Sequence, residues 1–282
     1  MNYKGNGNWQ LELELTSPVQ QIEYQYVLCE GDKLIFEEWE RKHQITFSEA
    51  SEHYIMYDYW LVRPFNLAFY SSAFTKGLFF HPNEKVESPV KSGKKLTLEV
   101  FVPRVEKDQY VAITGNQSCL GNWNAEKALP LHCKTAPVWT IELDAEEISF
   151  PLEYKFLICE NPSVCYWEEG DNRSVDVSQL QVGETVVVSG LYFRENLPLW
   201  RCAGSVIPVF SLRSEQSFGV GDLGDLRLLV DWAKKTQQRI IQVLPMNDTT
   251  TTHTWVDSYP YSAISIYALH PMYISLSTLG KL

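Results

Sequence analysis

The chain has 282 residues, of which 45% are hydrophobic and 21% are charged, so disorder of the whole chain is excluded. The formal net charge of −11 argues against a nucleic-acid or membrane-surface partner, because those partners are themselves acidic. No apolar run approaches the roughly 18 residues that span a membrane, and the first residues carry no apolar signal core. Length and composition therefore predict a soluble intracellular chain with two domains or more.

The six cysteines form neither a CxxC pair nor a Cys/His ligand pattern. We expect them to be small buried hydrophobic residues. We expect no metal and no cofactor.

The chain repeats itself once, at a constant offset in the numbering. Residues 23–30 align in residue type with residues 153–160. Each segment leads to an acidic turn that holds a tryptophan, Trp39 in the first copy and Trp167 in the second. Because residue types and spacing agree together, two copies of one module explain the pattern better than chance.

Both copies have the pattern of β structure. Leucines alternate with glutamates over residues 11–15, and apolar side chains alternate with threonine, glutamate and phenylalanine over residues 96–102. A period of two is typical of a half-buried strand. Short strands separated by glycine, asparagine and proline turns predict a small antiparallel β-sandwich.

The second copy, residues 93–180, has all the parts of such a module. It contains the run Ile-Thr-Gly-Asn-Gln-Ser-Cys-Leu-Gly-Asn-Trp at 113–123 and the run Trp-Glu-Glu-Gly-Asp-Asn-Arg at 167–173. In this order the motifs resemble a starch-binding domain of carbohydrate-binding module family 20. The resemblance implies a surface platform for α-glucan, with polar contacts to the sugar hydroxyls. The two platform tryptophans and the three polar residues are Trp123, Trp167, Lys155, Glu168 and Asn172.

The residues themselves give a physical reason for the platform. An exposed indole buries the apolar C–H face of a pyranose, and neighbouring donors and acceptors orient the sugar ring. The alternative is that both tryptophans are core residues, but glycine and asparagine flank Trp123 and acids follow Trp167, which favours exposure. Trp139 is open to either interpretation. The family's second glucan site keeps an aromatic residue at Tyr110, whereas residues 132–137 carry no tyrosine.

The first copy is incomplete. Residues 1–48 match only the C-terminal half of a module, with Gln25 where the second copy has a lysine. Half a sandwich exposes its inner face, so we expect this part to fold poorly or to aggregate. The aromatic-rich residues 49–92 are interpreted as a connector over the module surfaces, and residues 181–205 as a second connector.

The last part of the chain has a different pattern. Apolar runs at 206–210 and 239–245 predict two strands, and between them a spacing of three and four predicts a helix with Asp225 as N-cap. A second helical pattern begins near Ser262. Apolar strands joined by a helix predict a parallel sheet with both faces covered.

A GxGxxG run at 219–224 precedes the predicted helix. A dinucleotide site needs its first glycine directly after a strand, whereas the polar residues 211–217 intervene here. Asp222 and Asp225 would also repel a pyrophosphate. The sequence therefore argues against nucleotide binding.

A different family accounts better for this part of the chain. Four runs occur in order, namely Ile-Pro-Val-Phe-Ser-Leu-Arg-Ser at 207–214, Gly-Val-Gly-Asp at 219–222, Leu-Pro-Met-Asn-Asp-Thr at 244–249 and Asp-Ser-Tyr-Pro-Tyr-Ser at 257–262. They resemble the start of the catalytic domain of glycoside hydrolase family 77, the 4-α-glucanotransferases. The resemblance implies that residues 206–282 begin a (β/α)₈ barrel and that Asp257 and Tyr261 contact substrate. For Tyr261 the alternative is a packing residue at a helix start, and for Asn247 and Asp248 it is an Asx turn.

The combined resemblance implies a 4-α-glucanotransferase, which transfers α-1,4-glucan segments between maltodextrins with retention, in starch or glycogen metabolism. The expected partner is an α-glucan, with no nucleic acid and no membrane. The family's catalytic carboxylates lie beyond the position of Leu282, so we expect an N-terminal part of a longer enzyme that is inactive alone. The alternative is a non-catalytic starch- or glycogen-binding protein with a barrel remnant.

Overall fold

A computed structural model describes most of the chain. The described residues are 1–15, 19–47, 53–82, 90–160, 163–195, 197 and 199–279, without the side chains of residues 163–165 and 258. The chain divides into two compact units, residues 1–197 and 198–282. The predicted boundary between residues 48 and 49 lies outside the described residues.

The first copy of the repeat forms short strands. They are β1 (Asn2–Gly5), β2 (Asn8–Gln10), β3 (Gln21–Tyr24), β4 (Val27–Glu30), β5 (Lys33–Glu37), β6 (His43–Thr46) and β7 (His53–Asp58). β1 pairs with β2, β3 with β6 and β4 with β5, each pair antiparallel. β7 pairs instead with a strand of the second copy.

The second copy folds as a β-sandwich. Its strands are β8 (Lys95–Phe101), β9 (Gln109–Gly115), β10 (Leu129–Pro130), β11 (His132–Thr135), β12 (Val138–Asp144), β13 (Leu152–Glu160), β14 (Ser163–Trp167), β15 (Arg173–Val175) and β16 (Glu184–Tyr192). Sheet A has the order β10-β9-β13-β14, with β15 also paired to β13. Sheet B has the order β11-β12-β8-β16-β7.

Short helices occur in the loops of both units. The π-helical turn is Phe74–Leu78, and the 3₁₀ helices are Leu67–Tyr70, Ser118–Leu120, Ala125–Lys127, Ala145–Glu147, Val209–Ser211, Trp255–Ser258, Pro271–Tyr273 and Leu276–Thr278.

The core of the sandwich lies between sheets A and B, because apolar side chains alternate along their strands. Leu96, Leu98 and Val100 of β8 are fully buried, as the period-two pattern predicted. They belong to the same apolar cluster as Phe156 and Ile158 of β13 in the other sheet, which are also fully buried. Burying a side chain of this size contributes about 2 kcal/mol, so the cluster supplies a large part of the favourable free energy of folding.

Two segments that the sequence predicted as connectors contribute strands to sheet B. β7 lies within residues 49–92, and β16 lies within residues 181–205. β16 is parallel both to β8 and to β7. The predicted module boundary at residue 180 is therefore too early, and the sandwich is antiparallel except at β16. Parallel strands that are far apart in the chain leave no local sequence signal of their pairing, whereas the strands of an antiparallel hairpin are marked by the short turn between them.

The first copy exposes apolar side chains whose counterparts in the second copy are buried. Trp9 is 56% exposed and Leu28 is 47% exposed. Their counterparts at the repeat offset, Trp139 and Ile158, are 3% and 0% exposed. The indole of Trp139 also donates a hydrogen bond to the Val102 carbonyl at 3.3 Å, so this tryptophan is a core residue.

The second unit contains a strand, a helix and a strand. They are β17 (Gly204–Ile207), α1 (Leu223–Lys235) and β18 (Ile240–Val243). The two strands pair in parallel, which confirms the predicted strand–helix–strand order. The helix predicted from Ser262 is wrong, because residues 262–270 are irregular apart from the bridge of Leu269 to Asn247, and the described residues after them form only the two short 3₁₀ helices.

Helix α1 begins one turn before the predicted N-cap. The Oδ1 atom of Asp222 accepts hydrogen bonds from the amides of Gly224 at 2.7 Å and Asp225 at 3.1 Å. In the opposite direction, the Oδ2 atom of Asp225 accepts a hydrogen bond from the Asp222 amide at 3.0 Å. This reciprocal pair is a capping box, and it engages both Asp222 of the GxGxxG run and Asp225 directly after the run. Gly221 serves close packing, because a Cβ atom there would collide with the Val209 carbonyl.

Substitution of Gly190 tests the close approach of β16 to Tyr59. It has φ of +76° at an irregularity of β16, and a Cβ atom there would collide with the Tyr59 carbonyl. Gly183 has φ of +87° with open space around it. We expect Gly183→Ala to lower the free energy of unfolding by about 1 kcal/mol through backbone strain alone, and Gly190→Ala by about 3 kcal/mol.

Urea denaturation followed by circular dichroism would measure both changes. Equal losses in the two variants would contradict the close approach of β16 to Tyr59, because only the backbone term would then be present.

Candidate functional site

Trp167 and Lys155 lie on the outer face of sheet A. Along β13, Tyr154, Phe156 and Ile158 point into the core, so Lys155 between them points outwards. Trp167 pairs with Leu157, the next outward position, and is 39% exposed. The predicted exposure of Trp167 therefore agrees with its place in the sheet.

A loop after β9 places Trp123 near the same face. The Trp123 amide donates a hydrogen bond to the Gly115 carbonyl at 2.8 Å, and Gly115 pairs with Tyr154, the neighbour of Lys155. Trp123 itself is half-buried. The flanking turn is closed by the Asn124 side chain, which accepts from the Glu126 amide at 2.9 Å.

The backbone of this loop is strained at two residues. Asn122 has φ of 49° and Trp123 has φ of 61°, both in the left-handed region. A bulky side chain is rare in that region, and each such residue costs on the order of 1–3 kcal/mol. Strain of this kind persists where the surrounding structure holds it, and it is common at binding sites. The loop therefore presents the Trp123 indole at a cost in stability.

The polar residues near the two indoles are held by the turn after β14. The ammonium of Lys155 donates to the carbonyls of Gly170 at 2.6 Å and Glu168 at 3.5 Å. Asn172 is exposed, and its amide donates to the Glu153 carboxylate at 3.3 Å. Lys155 is thereby joined to the turn that follows Trp167, and Asn172 of that turn is joined to β13.

Glu168 has a different place from the one predicted. It is 2% exposed, and its carboxylate forms an ion pair with Arg173 at 2.8 Å and with Arg194 at 3.2 Å. It also accepts a hydrogen bond from the Phe156 amide at 3.0 Å. Because these partners engage the carboxylate inside the protein, we do not expect Glu168 to contact a sugar. It anchors the turn that carries Trp167.

The electrostatics agree with that role. Burial by itself raises the pKa of Glu168, but the hydrogen bonds and charge of Arg173, with the hydrogen bond from Arg194, outweigh burial and lower the pKa. The carboxylate is therefore ionised at neutral pH, and the ion pair is complete there.

The first copy keeps this buried acid and lacks the platform. Glu38 is the counterpart of Glu168 at the repeat offset and is also 2% exposed. It exchanges hydrogen bonds with the backbone of Tyr26 at 2.8 and 3.2 Å, as Glu168 does with Phe156 at 3.0 and 3.1 Å. The residue before the acid is Glu37 in the first copy, where the second has Trp167.

The predicted alignment of Trp39 with Trp167 is therefore off by two positions. Trp39 packs edge-on against Tyr70, with ring centroids 5.3 Å apart, and the Arg41 guanidinium lies over its ring. The offset that aligns residues 23–30 with 153–160 also pairs Glu38 with Glu168. The constant offset gives the correct alignment, whereas pairing the two tryptophans shifts it by two positions.

In the second unit, Tyr261 lines a pocket at the carboxyl end of β18. The pocket has a volume of about 510 Å³. Its other lining residues are Gln242, Val243, Leu244, Pro245, Met246, Asn247 and Leu269. Tyr261 is 61% exposed, and its ring lies 5.5 Å from that of Tyr259. The carboxyl ends of parallel strands are common places for binding sites in α/β folds.

The other polar residues of this region are held by their own loops. The Asp257 carboxylate accepts from the Thr252 amide at 2.9 Å and from its hydroxyl at 2.9 Å, and it does not line the pocket. Asp248 accepts from the Thr250 amide at 2.9 Å, which is an Asx turn. Asn247 donates to the Ile266 carbonyl at 3.0 Å. Of these residues, the structure brings Asn247 and Tyr261 together.

The part of the chain that the structure describes shows neither a metal centre nor a membrane helix. No group of three or more His, Cys, Asp or Glu residues there is arranged to hold a metal ion. None of the helices in the described ranges is both long and apolar enough to cross a membrane.

Comparison with known proteins identifies the two kinds of domain. Residues 94–187 match the starch binding domain family, and residues 207–281 match the 4-alpha-glucanotransferase family of glycoside hydrolases 77. The resemblance to both families is thereby confirmed.

Individual relatives carry the same names. The rice (Oryza sativa subsp. japonica) 4-alpha-glucanotransferase DPE2 is 35% identical over 224 residues, which is 75% of this chain and 23% of the rice protein. The Chlamydia caviae 4-alpha-glucanotransferase is 42% identical over 76 residues, which is 27% of this chain and 13% of that protein. The human starch-binding domain-containing protein 1 is 39% identical over 70 residues, which is 24% of this chain and 18% of that protein. The chain thus spans less than a quarter of each of these relatives.

The buried ion pair generates a stability prediction. Glu168→Gln keeps the shape of the side chain but leaves Arg173 and Arg194 without their counter-charge, so we expect the free energy of unfolding at pH 7 to fall by about 3 kcal/mol. Glu153→Gln, on the same strand as Phe156 but exposed, is the matched control and should change it by less than about 0.5 kcal/mol.

The pH dependence has a definite sign. Because folding lowers the pKa of Glu168, its contribution is present above the ordinary value of 4.5 and is lost as the pH falls through the folded value. Urea denaturation between pH 7 and pH 3 should therefore show a steeper loss for the wild type than for Glu168→Gln. Equal stability of the two proteins at pH 7 would refute the anchoring role.

Proposed function

We propose that this chain binds α-glucan through Trp123 and Trp167 and forms the start of the catalytic barrel of a 4-α-glucanotransferase. The observation that carries the binding part is the partial exposure of Trp167 beside Lys155 on the outer face of sheet A. The match of residues 207–281 to the glucanotransferase family supports the catalytic part.

The chemistry of the binding step follows from the groups present. The C–H face of a glucose ring lies on the Trp167 indole, which buries apolar surface from both partners. An ammonium has three N–H donors, so Lys155 can offer a sugar hydroxyl a hydrogen bond while it keeps its contacts to the Gly170 and Glu168 carbonyls. The side-chain amide of Asn172 supplies a further donor and a further acceptor.

In the proposed reaction a carboxylate attacks the anomeric carbon while a carboxylic acid protonates the leaving oxygen, and a sugar hydroxyl then attacks the glucosyl-enzyme. Tyr261 would hold a glucose unit at the carboxyl end of β18. We assign neither catalytic carboxylate to this chain, because the acids near β18 and α1 are engaged in loop turns and in the helix cap. The cytoplasm remains the proposed compartment, on the family resemblance alone.

A specific observation favours the second candidate, a non-catalytic starch- or glycogen-binding protein. The human relative that covers 24% of this chain is named for its starch-binding domain and not for an enzyme. Sequencing of the transcript past the codon for Leu282 separates the two candidates, because further barrel strands support the transferase.

Removal of one indole tests the platform. We expect β-cyclodextrin to quench the tryptophan fluorescence of the purified chain saturably, and Trp167→Ala to weaken binding by at least about thirtyfold, because a central aromatic contact is lost. Trp9→Ala is the matched control, since Trp9 is also an exposed strand tryptophan, 56% exposed, in the copy without a platform. Undiminished binding by a folded Trp167→Ala variant would rule out the platform.

A transfer assay tests the division between binding and catalysis. We expect the chain to release no glucose from maltotriose when glycogen is the acceptor. The assay uses the protein concentrations at which β-cyclodextrin binding reaches saturation. The reason is that retaining transfer needs two carboxylates about 5–5.5 Å apart and free to reach the sugar. The rice relative serves as positive control. Glucose release by the chain would show that its own acids catalyse transfer, contrary to this expectation.

A further inference from the structure

A groove lies on the opposite side of the sandwich from Trp167, against the outer face of sheet B. Its volume is about 840 Å³, within the range of small-molecule sites. Its floor is formed by β8, β12 and β16, and one wall is the edge of β6 with residues 44–47. The groove is therefore built where the first copy of the repeat overhangs the second.

The floor carries the outward-facing residues of sheet B, since the alternate positions fill the core. Lys95 forms an ion pair with Glu142 at 3.1 Å, and Lys134 forms one with Glu99 at 2.6 Å. The first pair joins the neighbouring strands β8 and β12, and the second joins β8 to β11 across β12. Asp144 and Glu147 also line the groove, so its excess of acids disfavours an anion, whereas a neutral ligand can bind without breaking either ion pair.

Hydroxyl groups lie along the same floor. They come from one threonine on each of the three strands, Thr97, Thr140 and Thr185. Thr97 and Thr185 are buried at 9% and 2% exposure, so Thr140, which is half-buried, and the lysines and glutamates supply the accessible donors and acceptors. This mixture suits a ligand that itself carries a donor and an acceptor on every hydroxyl.

The wall adds an apolar surface. The rings of Phe47 and Tyr54 meet edge to face with centroids 5.0 Å apart, and both residues are half-buried beside the groove. Aromatic rings beside a polar floor provide the two surfaces that a pyranose needs, one for its C–H face and one for its hydroxyl rim.

We propose that this groove binds a linear α-1,4-glucan chain, as a second site separate from the Trp167 platform. The proposal rests on the proposed function only for the class of ligand, since its residues are all different. The two sites occupy opposite faces of one sandwich, so the chain can hold two glucan segments at once.

Hydroxyl-radical footprinting with maltoheptaose tests the groove without relying on tryptophan fluorescence. In the Trp167→Ala variant of the whole chain, we expect maltoheptaose to protect Phe47 and Tyr54 from oxidation. Thr140→Arg, added to that variant, places a long side chain on the floor and should reduce this protection at least about tenfold at fixed ligand. Ser178→Arg, an exposed change outside the groove, is the matched control and should leave it intact.

The outcomes separate the two sites. Unprotected Phe47 and Tyr54 at ligand concentrations that protect Trp167 in the wild type would overturn the groove and leave the platform standing. Protection of the groove residues without protection of Trp167 would support the groove and refute the platform. If circular dichroism shows that Thr140→Arg is misfolded, Gln44→Arg obstructs the groove from the exposed edge of β6, and protection that survives this variant refutes the proposal.

Discussion

The ion pair of Glu168 with Arg173 and Arg194 is the interaction on which the platform face depends. A carboxylate taken out of water costs several kcal/mol unless charges and hydrogen bonds replace the water. Here two guanidinium groups and the Phe156 amide do so, which ties the turn after β14 to the strand that carries Lys155. The neighbouring indole is thereby fixed on the sheet without itself being buried. A residue that never touches the ligand can thus set where the ligand binds.

The first copy has the same acid with different partners, and the difference changes what the acid holds together. His43 is the counterpart of Arg173 at the repeat offset and contacts Glu38 at 3.0 Å. Its other ring nitrogen lies 3.1 Å from the hydroxyl of Ser189, which donates to Asp58 at 2.6 Å. Ser189 belongs to β16 and Asp58 to β7, so this buried network joins the first copy to the second. The acid of the second copy holds the turn that follows Trp167, and the acid of the first copy joins that copy to sheet B.

How far the sequence predicts this structure depends on whether a feature is local. The alternation along β8 and the tight Gly-Asn turn around Trp123 are local, and both were interpreted correctly as strand and as loop, although Trp123 itself is half-buried. The parallel pairing of β16 is not local, and its run of three valines looks the same in a buried strand as in a connector. Glu168 shows the same limit for a single side chain. The local sequence Trp-Glu is the same whether the carboxylate faces water or pairs with two arginines.

The parallel pairing of β7 with β16 explains why a second polar groove can exist at all. In an isolated sandwich the outer face of sheet B would be a flat, solvated surface, and flat surfaces bind small neutral ligands poorly because they bury little of them. β7 extends that sheet from the first copy and brings β6 over it as a wall. The overhang turns paired charges and threonines into the floor of a concave site. The first copy has Glu37 at the position of Trp167, but its place beside sheet B gives the second copy a concave face that one module alone does not form.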